Sequence, residues 1–292
     1  MTDDHDKISR REFTALSLAA GMTVAAGASA AGAADMVDTD VEIKTSAGTC
    51  DAALIHPKGK GQWPAVILFV DIFGLRQTMR DMAKRLAANG YTVLVPNPYY
   101  RTTRAPGLPM NLDFKSAEDR AKIGKVRAPL TDEAVMSDST AYVKFLDAQP
   151  VVDKKAKMGV FGYCMGGPMT MQAAAANPTR VGAGASFHGG GLVTDKPDSP
   201  HLKVPTMKAQ FYFAIAANDD QRQPDAKTKL AAAFKAANLH EKQEVYEGCM
   251  HGWCVKDMPN GEDGKPLYNE AGAEKAWGEL VASMSTLPSG RA

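Results

Sequence analysis

The chain is predicted to fold as an open, mostly parallel α/β sheet with helices on both faces. Two observations carry this expectation. Apolar runs such as "PAVILFVD" and "YTVLVPN" have the length and continuity of strands buried on both sides. Segments with apolar residues at helical spacing alternate with such runs through most of the sequence. With 292 residues, 45% of them hydrophobic, there is material for one large domain with a substantial core, assigned here to residues 35–292.

The elements follow in order. "VDTDVEIKTS" and "CDAALIHP" are short extended segments around Ala47-Gly48-Thr49, a hairpin-like start. "PAVILFVD" is a central strand. "RQTMRDMAKRLAANG" carries Met79, Met82, Leu86 and Ala87 at helical spacing and stops at Asn89-Gly90. "YTVLVPN" is the next strand, closed by Pro96 and Pro98. Residues 100–130, with several prolines and mixed charge, read as a loop excursion or small cap. "TDEAVMSDSTAYVKFLDAQ" is a helix with Thr131 as its N-cap. "KAKMGVFGYC" is a strand and "MGGPMTMQAAAANP" the helix that leaves it. "GAGASFHGG", "AQFYFAIAAND" and "KQEVYEGCM" are later strands, with helices at "PDAKTKLAAAFKAAN" and "EAGAEKAWGELVASMSTL".

Residues 1–34 stand apart. Ser9-Arg10-Arg11-Glu12-Phe13 resembles a twin-arginine export signal, followed by a weakly apolar stretch and the small-residue options Ala28-Ser29-Ala30 and Ala31-Gly32-Ala33 for cleavage. The apolar run is too interrupted to span a bilayer. The expectation is export by the twin-arginine machinery and a periplasmic protein with no membrane attachment after cleavage. Lys and Arg total 34 against 33 Asp and Glu, for a formal net charge of +1. That balance leaves no electrostatic footprint for nucleic acid and suits a handler of small molecules.

Gly162-Tyr163-Cys164-Met165-Gly166 has the G-x-C-x-G spacing of a nucleophile elbow, between a strand-like run and a helix-like stretch. The glycines admit a sharp, strained turn that exposes the sulfur near a helix N-terminus, whose partial positive charge favours an anionic nucleophile. The same turn aims the backbone N–H of Met165 at an oxyanion. A base is needed after it. His251, in "EGCMHGWC", follows the last strand and is taken as that base, with Gly252 bending the loop. His188, in "SFHGGG", ends the strand after the elbow; it comes too early for the base but is placed to line the pocket. Asp219 and Asp220 end the strand between them. One is read as the acid holding the imidazole and the other as the N-cap of the following helix. A competing group, Cys249, His251 and Cys254, lacks a fourth zinc ligand at suitable spacing, and a local Cys249–Cys254 disulfide is the stronger alternative. No metal site is assigned.

Together "GYCMGG", "VDIFGL", "VPNPYYR", "AANDDQRQP" and "CMHGW" resemble the dienelactone hydrolase family, a thiol branch of the α/β-hydrolases, from about residue 40 onward. The resemblance implies the α/β-hydrolase fold and a triad of Cys164, an aspartate and His251. The family's acid motif, with a proline four residues after the aspartate, falls on Ala217 to Asp220 and Pro224, and so favours Asp220. It implies a second oxyanion N–H from Ile72, opposite that of Met165. The family's glutamate that tunes the resting cysteine is replaced by Asp71. Its carboxylate-binding arginine corresponds to Arg101, in a motif with Pro96 and Tyr99, while a second arginine is replaced by Val255. Tyr99 and Arg101 from this motif, with His188 and Trp253, are the expected substrate-binding residues. The activity implied is hydrolysis of a lactone or activated carboxylic ester through a thioester, without metal or organic cofactor. A general thiol carboxylesterase and a non-catalytic exported binding protein of the same fold are the alternatives.

Overall fold

A computed structural model describes residues 35–287. The expected export signal lies outside the described residues. Ten-residue strands β1 (Met36–Thr45) and β2 (Gly48–Pro57) form the antiparallel hairpin anticipated around Gly48. The chain then alternates: β3 (Ala65–Phe69), α1 (Gln77–Ala87), β4 (Thr92–Pro96), α2 (Ala117–Arg127) and α3 (Asp132–Ala148). There follow β5 (Met158–Tyr163), α4 (Gly166–Ala176), β6 (Val181–Phe187) and a 3-10 turn at Pro200–Thr206. The last elements are β7 (Gln210–Ala216), α5 (Ala217–Arg222), α6 (Ala226–Ala236), β8 (Glu241–Tyr246) and α7 (Glu270–Ser285).

The eight strands lie in the order β1-β2-β4-β3-β5-β6-β7-β8. Pairing is antiparallel for β1 with β2 and β2 with β4, and parallel from β4 to β8. The fully buried strands are the continuous apolar runs, because both faces of the sheet are covered. In β3, Ala65, Ile67 and Phe69 pack into one apolar cluster and Val66 and Leu68 into the other. Tyr142 and Leu146 of α3, Met169 of α4 and Phe234 of α6 fill the first cluster; Met79 and Leu86 of α1 and Trp277 and Leu280 of α7 fill the second. Helices thus cover both faces, as the pattern predicts.

Two elements differ from the expectation. Residues 100–130 include a regular helix, α2, whose N-cap Ser116 accepts the Asp119 N–H. Only Ile123 of that helix is buried, so no apolar stripe marks it in the sequence. The segment "ANDDQR" is helical too, as α5, and this decides which aspartate faces the histidine.

Parallel strands carry the site. With β3, β5, β6, β7 and β8 in one direction, the loops that follow them leave from the same edge of the sheet. The cysteine turn follows β5, beside the point where the strand order reverses between β4, β3 and β5.

Candidate active site

Cys164 takes φ +51°, a left-handed conformation that is uncommon for a residue with a side chain. The surroundings hold it there. Its N–H donates to the Phe187 carbonyl (3.0 Å), and its own carbonyl accepts from the Gly167 N–H (3.0 Å). A Cβ on Gly162 would lie 2.4 Å from the Gly166 carbonyl oxygen, and one on Gly166 would lie 2.2 Å from that of Phe69. Backbone occupies both spaces, so the glycines of the motif are required by close approach. Cys164 is the one partly exposed cysteine; Cys50, Cys249 and Cys254 are buried, and none is paired. Burial pushes the Cys50 thiol up to about 12 and raises those of Cys249 and Cys254, which leaves them poor nucleophiles.

His251 lies in the turn after β8, with its backbone N–H donating to Asn218 Oδ1 (2.8 Å). Its Nδ1 meets Asp219 Oδ2 at 2.6 Å. Ligand atoms of Cys164, His188 and His251 lie within 4.8 Å of one another. Burial opposes a charge on His251, but the hydrogen bonds to Asp219 and Cys164 outweigh it and hold the imidazole up at about 10. Asp220 is elsewhere: both its oxygens bind Lys227 Nζ, at 2.8 and 2.7 Å. The motif register favoured Asp220, but consecutive residues of a helix point about 100° apart, and of the two aspartates in α5 only Asp219 meets the imidazole. Neither aspartate caps the following helix, since Asp225 stands at its start.

Ile72 follows β3 in the loop opposite the elbow. Neither its N–H nor that of Met165 has an acceptor among the described residues, as an oxyanion hole requires. Tyr99 was expected to touch substrate. It is instead buried, with its hydroxyl donating to the Ile72 carbonyl (2.7 Å) and lying 3.4 Å from the Met165 sulfur. It braces both sides of the candidate oxyanion hole.

Asp71 does not serve the cysteine in this arrangement. Arg76 grips its carboxylate at 2.8 and 2.9 Å, and the Phe73 N–H donates to Oδ1 at 2.9 Å. The same guanidinium binds both oxygens of Asp257, each at 2.8 Å. Arg101 is likewise committed. It forms a two-point pair with Asp138 at 2.6 and 2.9 Å and lies over the Tyr100 ring, so its charge is already compensated. Trp253 is fully buried, stacked on Tyr246 and edge-on to His188; it backs the site and does not line it. His188 is brought in beside His251, their ring centroids 4.7 Å apart.

Arg76, Asp138, Asn218 and Asp257 were missed from sequence. The arginine five residues past Asp71 was the only local signal; the other three act across long chain separations.

A cysteine in a strand-to-helix elbow, followed in the chain by an aspartate-held histidine at the same sheet edge, is the arrangement of the α/β-hydrolase fold. Comparison with known proteins narrows the class. The model of the dienelactone hydrolase family matches residues 50–287, and the chain belongs to that family. A protein of Synechocystis sp. is 29% identical over 236 residues, covering 80% of this chain and 90% of its own. A carboxymethylenebutenolidase of Pseudomonas putida is 28% identical over 184 residues, covering 62% of this chain and 75% of its own. Among solved structures, one from Klebsiella pneumoniae superposes with a TM-score of 0.72 at 22% identity, covering 86% of this chain and 99% of that one.

Proposed function

We propose that this chain hydrolyses a lactone or activated carboxylic ester through a Cys164–His251–Asp219 triad and a thioester intermediate. Family membership supports the ester-hydrolase class, and the hydrogen bond from His251 to Asp219 beside the elbow cysteine is the observation that carries the mechanism. The sulfur attacks the carbonyl carbon, and the N–H groups of Ile72 and Met165 receive the developing oxyanion. As the tetrahedral species collapses, the C–O bond breaks and His251 gives its proton to the leaving oxygen. His251 then takes a proton from water, which attacks the thioester carbonyl. Collapse releases the acid and returns the proton to the Cys164–His251 pair. Asp219 fixes the ring by accepting from Nδ1–H throughout. A thiol suits the better leaving groups of enol-type esters.

A general thiol carboxylesterase is favoured over an enzyme for anionic lactones by one observation. Arg101 is already paired with Asp138, and Val255 stands where the family places a second arginine, so neither of the family's two carboxylate anchors is free here. Rates on a panel of neutral lactones, anionic lactones and acyl esters, for native protein and Cys164→Ala, test both points. Turnover retained in the alanine variant would sink the mechanism; preference for anionic lactones would restore Arg101. The binding-protein alternative is separated by alkylation of Cys164, which should outpace a free thiol at neutral pH if it is a nucleophile. Periplasmic residence is proposed on the Ser9–Phe13 motif alone, and fractionation after Arg10→Lys/Arg11→Lys tests it.

A further inference from the structure

His188 stands beside His251 with no part in the proposed triad. It directly follows β6 at φ +40°, with its backbone N–H held by the Ala214 carbonyl at 2.8 Å. Its side chain is buried at 1% exposure, yet neither Nδ1 nor Nε2 has a hydrogen-bond partner. An imidazole always presents a donor or an acceptor at each nitrogen, and burying either without a partner is costly. An apolar ring would fill the same space among His251, Trp253 and Tyr163 without that cost. The polar ring therefore calls for a partner that arrives from outside the chain.

The surroundings say what kind. Cys164, His188 and His251 each offer one ligand atom, and the three lie within 4.8 Å of one another. One sulfur and two imidazole nitrogens form a donor set suited to zinc and its neighbours. Asp219 holds Nδ1 of His251, the carboxylate–histidine arrangement that orients a metal-ligating ring and leaves Nε2 to bind. A thiolate and the Asp219 carboxylate also balance a divalent charge locally. From the bond lengths of a tetrahedral zinc, donor atoms stand roughly 3.3–3.8 Å apart. Binding requires the three donor atoms to close from within 4.8 Å to that spacing.

We infer that Cys164, His188 and His251 form a binding site for a thiophilic divalent cation of the zinc class. Binding involves no redox change. The cation forms one bond to sulfur and one to each ring, and the single proton shared by the Cys164–His251 pair leaves to solvent. The fourth position stays open to water. The inference does not rest on the hydrolase reading, because its readout is metal affinity and not turnover.

Chelator-treated full-length protein titrated calorimetrically with zinc chloride should bind one equivalent and release about one proton, seen by repeating the titration in buffers of different ionisation enthalpy. His188→Phe keeps an aromatic ring in place and should weaken affinity at least about tenfold, the lower end of what loss of even an outer partner costs. Cobalt provides a readout on unmutated protein: a tetrahedral spectrum with sulfur-to-cobalt charge transfer that disappears in Cys164→Ser. Wild-type affinity in His188→Phe, or an octahedral cobalt spectrum without the sulfur band, would overturn the inference. Zinc binding should persist even if Cys164→Ala proves as active on esters as native protein, so the two readings fail separately.

Discussion

At the scale of single residues, one aspartate and its neighbour separate two readings of the same motif. Asp219 accepts from His251, whereas Asp220 is tied to Lys227. Asp219→Asn should therefore lower kcat/KM by about 10²–10⁴, the usual worth of an oriented acid–base group, and Asp220→Asn should leave it within a few-fold. Equal losses in both variants would refute the assignment. The same contact has a stability signature. His251 is raised to about 10 in the folded chain, above its ordinary value near 6.5, so its contribution is fully present below pH 6.5 and fades as the pH rises through 10. Denaturant midpoints of native protein should fall over that interval, and Asp219→Asn should flatten the fall. Sequence could locate the pair of carboxylates but not choose between them, because the choice depends on the rotation of α5, whose residues carry no apolar periodicity to fix it.

At the scale of elements, the elbow is a place where three backbones meet. The Gly166 Cα touches the end of β3 so closely that Gly166→Ala would set a methyl 2.2 Å from the Phe69 oxygen. Such a clash costs at least about 1–3 kcal/mol and should displace the nucleophile, so circular dichroism melts and activity should drop together. Tyr99→Phe is the gentler probe. It removes only the hydroxyl that braces the Ile72 carbonyl, and should lower kcat several-fold while KM stays nearly constant, as expected of a group that positions an oxyanion donor. The strand and helix order was readable because buried strands announce themselves by continuous apolar runs. The roles of Tyr99 and Arg101 were not, because a tyrosine or arginine in a loop looks the same whether it faces substrate or a carbonyl behind it. Asp138, the partner that takes Arg101, sits 37 residues away on α3.

At the scale of the whole molecule, the parallel register gathers the functional loops, and Arg76 joins two of them. Its guanidinium spans Asp71, after β3, and Asp257, six residues beyond His251 in the chain. Asp71 is fully buried, so Arg76→Met would strand a carboxylate in the interior at a cost of about 3–5 kcal/mol. Urea unfolding should register this loss, and Asp71→Asn in the same chain should recover part of it. No helix among the described residues is long and apolar enough to cross a membrane.

The Arg76 bridge has a consequence for how such a scaffold can be rebuilt. Loops of α/β enzymes are often treated as interchangeable modules, each grafted from a relative to alter what the enzyme accepts. Here the segment bearing the proposed oxyanion donor Ile72 and the segment bearing His251 share a single cation, with its fork divided between them. Transplanting either alone would orphan a charge in the other. The two act as one cassette, and a chimera that takes only one of them should be less stable than one that takes both from the same parent.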